Sequence, residues 1–79
     1  MEAVETQVIG IITGVIADKG HSVELSGSSM MGDPVEWDSL AFVEIFLGVS
    51  GHFGIDVSDD DAIFFMSIPE IVDFVSERL

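Results

Sequence analysis

One serine hydroxyl, two imidazoles and a surplus of carboxylates are the groups in this chain that could do chemistry. The imidazoles, His21 and His52, have no thiol near them, because the chain contains no cysteine. Neither shows the spacing of a zinc site, and both read as solvated surface residues. Ser39 with a histidine and an aspartate could in principle make a hydrolytic triad, but 79 residues leave little room for a substrate pocket. A hydrolase of this size would have to lose its activity on mutation of either histidine. The run Asp59-Asp60-Asp61 lacks the alternating ligands, central glycine and closing glutamate of a calcium loop. It reads instead as the charged first turn of a helix. Ser39 remains, in the string Trp37-Asp38-Ser39-Leu40.

The elements around Ser39 give that string its meaning. Val4, Val8, Ile11, Ile12 and Val15 recur at helical spacing and predict an amphipathic helix over about residues 3–18, with Gly20 free to make the left-handed turn after it. About residues 19–37 are rich in Gly and Ser with no sustained period, which reads as a long loop of the kind that is functional or mobile in a small domain. Its apolar members Val23, Leu25, Met30, Met31 and Val35 are expected to pin it across the other elements. A second helix over about residues 38–51 follows, capped by Asp38, with Ser39 in its first turn. A hydroxyl there is exposed on a rigid base, and the helix N-terminus offers partial positive charge and free N–H groups to a phosphate ester. Ser58 opens a short third helix over about residues 59–65. Ser67, Pro69 and Glu70 form a stronger start signal for a fourth over about residues 68–78, with Ile68, Ile71, Val72, Val75 and Leu79 on its apolar face.

The second helix carries two apolar stripes. Phe42, Ile45, Phe46, Val49 and Phe53 have the density of a core stripe, which leaves Leu40, Val43 and Leu47 beside Ser39, facing outward with Glu44 at their edge. Gly48 and Gly51 are expected to weaken this helix by about 1 kcal/mol each if exposed. Ile63 and Phe64 in the third helix either enlarge the core or add to an outer surface, since so short a helix cannot bury every side. No β-alternating segment is visible, so the fold class expected is all-α, a single-domain four-helix bundle with one long first loop and one short helix.

Composition limits the partners. Fifteen acidic residues face two basic ones, Lys19 and Arg78, for a formal net charge of −13. Such a surface repels nucleic-acid phosphates and anionic lipid, and it suits basic patches on other proteins. Glu2 and Glu5 stand where a signal peptide carries Lys or Arg, and Val8 to Ala17 is too short to span a bilayer. A soluble, cytoplasmic, monomeric protein is expected, and the absence of cysteine suits a reducing compartment.

From Asp38 to about Val75 the chain resembles the acyl carrier proteins and their peptidyl and D-alanyl relatives, whose signature is Asp-Ser-Leu at the start of the second helix. The register is kept through Phe53-Gly54-Ile55-Asp56-Val57-Ser58, Ala62, Phe65, Ser67-Ile68 and Ile71-Val72-Asp73-Phe74-Val75. Residues 1–37 agree in layout only. The resemblance implies that Ser39 accepts 4′-phosphopantetheine from coenzyme A through a magnesium-dependent phosphopantetheinyl transferase. Asp38 would engage the transferase and cap the helix, and Leu40 would pack at the base of the arm. Cargo would ride as a thioester on the arm's thiol, and catalysis would belong to loading and downstream biosynthetic enzymes. Trp37, Val43, Glu44, Leu47, Ile63 and Phe64 are expected to meet those partners.

The sequence departs from fatty-acid-type carriers at Ala41, Ser50 and Gly51, where docking acids are usual, and at Trp37, which looks more like discrete carriers of specialised pathways. Acyl cargo of polyketide or fatty-acid-like type is the first reading. The alternatives are an aminoacyl or peptidyl carrier and an unmodified carrier-fold interaction module.

Overall fold

A computed structural model describes residues 3–79, whose regular elements are all helical: three α-helices and one 3₁₀ helix. Helix α1 spans Val4–Asp18, α2 spans Ser39–Phe53, the 3₁₀ helix spans Asp59–Phe65 and α3 spans Ile68–Arg78. α1 packs against both α2 and α3, and the 3₁₀ helix bridges α2 and α3.

Each boundary has a local cause. At the end of α1 the Gly20 N–H donates to Ala17 O and the His21 N–H to Ile16 O, with Gly20 at φ +87°, a paired closure that needs a left-handed residue. α2 runs on to Phe53, beyond its expected end, because Gly54 at φ +65° supplies the left-handed stop. Asp61 Oδ2 accepts from the Ser58 N–H at 2.9 Å, so the acidic run caps the 3₁₀ helix. At α3 the Ser67 hydroxyl donates to Glu70 Oε1 at 2.9 Å and accepts from the Glu70 N–H at 3.3 Å.

The core is built of Val8, Ile12 and Ile16 from α1, Ala41, Ile45 and Val49 from α2, Ile68, Ile71, Phe74 and Val75 from α3, with Trp37 and Phe65. Each fully buried aliphatic contributes on the order of 1.5–3 kcal/mol. The buried line of α1 therefore passes through Ile16, and Val4, Ile11 and Val15 of the expected stripe flank it half-buried. On α3 the buried aromatic is Phe74, while Leu79, expected on the inner face, lies beyond the helix end and is 67% exposed. Phe65 packs edge-on against Phe46 at 4.8 Å and Phe74 at 5.1 Å, joining α2 to α3.

Gly48 is half-buried, and a Cβ there would lie 3.3 Å from Ile11 Cγ2. Its missing side chain lets α1 and α2 approach, so it serves packing as well as weakening the helix. Gly51 is exposed with nothing near it. In the first loop Val23, Leu25 and Met31 pack on the core, but Met30 and Val35 point to solvent. The loop is held instead by its backbone: Met31 N–H donates to Met66 O at 2.8 Å, and Ile68 N–H to Ser29 O at 3.0 Å. No helix among the described residues is long and apolar enough to cross a membrane.

Candidate functional site

Ser39 is the first residue of α2 and is exposed. What holds it in place lies just before it. The Trp37 N–H donates to Pro34 O at 3.0 Å, and Trp37 O accepts from the Gly32 N–H at 2.9 Å. The indole is completely buried in the core. Trp37 was expected to meet partners, and its burial corrects that expectation: the ring turns inward to fill the space under the loop, and acts as the anchor of the serine's backbone. Its Nε1–H has no hydrogen-bond partner among the described residues, a cost on the order of 1–3 kcal/mol that the large apolar burial outweighs.

Asp38 caps α2. Its Oδ1 accepts from the Leu40 N–H at 3.1 Å and from the Ala41 N–H at 2.9 Å. The Ala41 hydrogen bond, helped by that of Leu40 and by the Lys19 charge, holds the Asp38 carboxyl below the usual aspartate value. Two first-turn donors are thus already taken, so a phosphate on Ser39 would meet fewer free N–H groups than the sequence suggests. The helix dipole remains, with Lys19 close enough to act on Asp38.

Lys19 Nζ lies 2.8 Å from Glu44 Oε2, tying the end of α1 to the second turn of α2. The Glu44 hydrogen bond raises the pKa of the Lys19 ammonium. Glu44, expected at the rim of a docking surface, is therefore already paired within the chain. Leu40, Val43 and Leu47 are 71%, 52% and 63% exposed, on the side of α2 opposite to Ala41, Ile45 and Val49. Phe42, Phe46 and Phe53 lie half-buried between the two faces. Ile63 is exposed, while Phe64 is partly so and stacks on Phe74.

The groups passed over as catalysts stay apart. His52 pairs with Gln7 Oε1 at 2.9 Å on the far end of α2, and His21 is exposed after α1. No cluster of three or more His, Asp or Glu among the described residues is arranged to hold a metal ion. The anchoring role of Trp37 and the Lys19–Glu44 pair were not read from the sequence. The aromatic next to Asp-Ser could have signalled the first, and nothing local signals the second.

The chain is similar to proteins named acyl carrier protein. That of Rickettsia bellii strain RML369-C is 28% identical, in an alignment covering 99% of this chain and 88% of the relative. That of strain OSU 85-389 is also 28% identical, over 99% of this chain and 94% of the relative. That of Rickettsia canadensis strain McKiel is 26% identical, over 98% and 87%. No protein-family model matches the chain, and no solved structure matches it.

Proposed function

We propose that this chain, of acyl-carrier type by its relatives and its all-helical fold, carries an acyl group on a 4′-phosphopantetheine arm attached to Ser39 Oγ. The observation that carries the reading is Ser39 itself: an exposed hydroxyl in the first turn of α2, on a backbone fixed by buried Trp37 and capped by Asp38. These residues fit the group. Ser39 would form the phosphodiester, the N-terminus of α2 would favour its negative charge, and Leu40 would lie at its base. When bound, the arm supplies the thiol that a cysteine-free chain lacks.

The protein's own work is positioning. Asp38 keeps its carboxylate turned to the helix N–H groups, which leaves the hydroxyl beside it open to a transferase. The exposed stripe Leu40, Val43 and Leu47 offers an apolar contact to loading and downstream enzymes next to the attachment point. The chemistry of bond making in the cargo belongs to those enzymes. Acyl cargo, in a polyketide, fatty-acid-like or other specialised pathway of the cytoplasm, is favoured over aminoacyl cargo by the names of the relatives.

Incubation with coenzyme A, magnesium and a promiscuous phosphopantetheinyl transferase tests the attachment by intact mass. One phosphopantetheine should be added to the wild-type chain and none to Ser39→Ala. Modification that persists in Ser39→Ala would place the arm elsewhere. A wild-type chain left unmodified would favour a carrier-fold interaction module.

A further inference from the structure

The 3₁₀ helix and α3 enclose a second surface feature, a shallow cleft of about 320 Å³ lined by Phe64, Glu70, Asp73, Phe74, Glu77 and Arg78. None of its walls comes from α2 or from the loop that precedes Ser39. Phe64 is 43% exposed, and its ring lies 5.8 Å from that of Phe74 at an interplanar angle of 26°. The Arg78 guanidinium sits over the Phe74 ring, 3.5 Å from its centroid, and Nη1 donates to Phe74 O at 3.2 Å. The chain's own arginine thus shows what one of these rings accepts: a planar cation on its face.

The charge around the rings is unbalanced. Glu70, Asp73 and Glu77 fall on one face of α3 by their spacing. Glu70 is engaged with Ser67, whereas Asp73 and Glu77 have no hydrogen-bond or ion-pair partner among the described residues. Arg78 is the cleft's single cation against three carboxylates. An anion would be repelled, and an apolar ligand would strip water from carboxylates with nothing in return. A bare metal ion finds no suitable ligand cluster among the described residues. A guanidinium suits both kinds of lining, since it can stack on a ring face such as that of Phe64 and its N–H groups pair with carboxylates such as those of Asp73 and Glu77. Lysine, with a compact and strongly hydrated ammonium, would use the rings less well.

We propose that this cleft is a docking site for an arginine side chain presented by a partner protein, separate from the face around Ser39. The proposal stands whether or not Ser39 carries an arm.

Titration of the ¹⁵N-labelled full chain with the blocked peptide acetyl-Gly-Arg-Gly-Arg-Gly-amide tests it, beside the same peptide with lysine or with neutral citrulline. Shifts should concentrate in the 3₁₀ helix and in α3 from Asp73 onward, and arginine should bind more tightly than lysine. The citrulline peptide should not bind. Asp73→Asn with Glu77→Gln should weaken binding about fivefold at low salt. Phe64→Ala should weaken it about two- to fivefold, and Phe64→Leu, which keeps apolar volume without a ring face, should do the same. Glu24→Gln with Asp56→Asn removes equal charge from elsewhere on the surface and should have less effect. Ser39→Ala should bind like wild type. Shifts spread over the whole acidic surface or centred on α2 would overturn the proposal. So would equal weakening by the two charge-removing pairs, equal binding of the citrulline peptide, or Phe64→Leu binding like wild type.

Discussion

Two surfaces of this small bundle expose apolar side chains, and they differ in the charge that accompanies them. On α2, Leu40, Val43 and Leu47 lie beside Ser39, and the acid among them, Glu44, is already bridged to Lys19. On the 3₁₀ helix and α3, the exposed Phe64 ring lies beside buried Phe74 among three carboxylates, of which Asp73 and Glu77 have no partner among the described residues. Exposed apolar area alone would make the two alike. The first has its stripe acid paired within the chain and its Asp38 carboxylate turned to the helix N–H groups, and suits contact through shape and apolar burial. The second keeps its charge and suits a cation. In a chain with net charge −13 and two basic residues, where each base sits decides which acids remain free for partners.

The largest expected effect separates the two faces of α2. Ile45→Asp puts a charge where exposure is zero, at a cost of at least about 3–5 kcal/mol, comparable to the whole stability of a domain this size. The variant should lose its helical circular dichroism or unfold at low urea. Val43→Asp and Leu47→Asp should keep stability to within about 0.5 kcal/mol while slowing transfer to or from a cognate enzyme. Unfolding of either would make the outer stripe part of the core. Normal folding with wild-type transfer rates would move the docking surface off α2.

A smaller effect tests the masking of Glu44. Lys19→Gln should release that carboxylate with little change in melting temperature. Transfer to a partner with a basic face should then become more sensitive to salt, because a freed rim charge acts chiefly on encounter rate. The slope of log kcat/KM against ionic strength reads this directly. An unchanged slope would mean that Glu44 does not face the partner, or that partners ignore charge on this face and the contrast with the α3 cleft is sharper still.

The smallest effect concerns the cap beneath Ser39. Asp38 titrates below its ordinary value when folded because the Ala41 and Leu40 N–H groups favour its charged form. A lowered folded pKa means that its contribution is fully present above the ordinary aspartate range and is lost as pH falls through the folded value. Asp38→Asn, which can still cap but cannot titrate, should therefore melt with a shallower acid dependence below about pH 4. Parallel melting curves for the two proteins across that range would show that the cap does not feel pH.

Much of the bundle could be read from local pattern. Helix starts at Asp38, Ser58 and Ser67 and the stop at Gly20 are legible because a cap is satisfied within a few residues of itself, whereas the stop of α2 at Gly54 lies beyond the end read from the pattern. Ser39 at the head of α2 is legible in the same way, as is the outward stripe Leu40, Val43 and Leu47, since a 3.6-residue repeat sets them against Ile45 and Val49; that Ala41 rather than Phe42, Phe46 and Phe53 completes the buried line was not read. Other features needed segments distant in the chain to meet. Trp37 reads as an exposed aromatic until the loop is tied to the junction of the 3₁₀ helix and α3 and folds its ring into the core. Gly48 reads as a weak point until Ile11 arrives against it. Glu44 reads as free until the end of α1 brings Lys19 within 2.8 Å. Phe64 could have been core or surface, and the packing of the 3₁₀ helix on α3 set it beside Phe74 at the edge of an acidic cleft. Periodicity fixes which way a side chain points on its own helix, but what it meets there depends on how the helices dock.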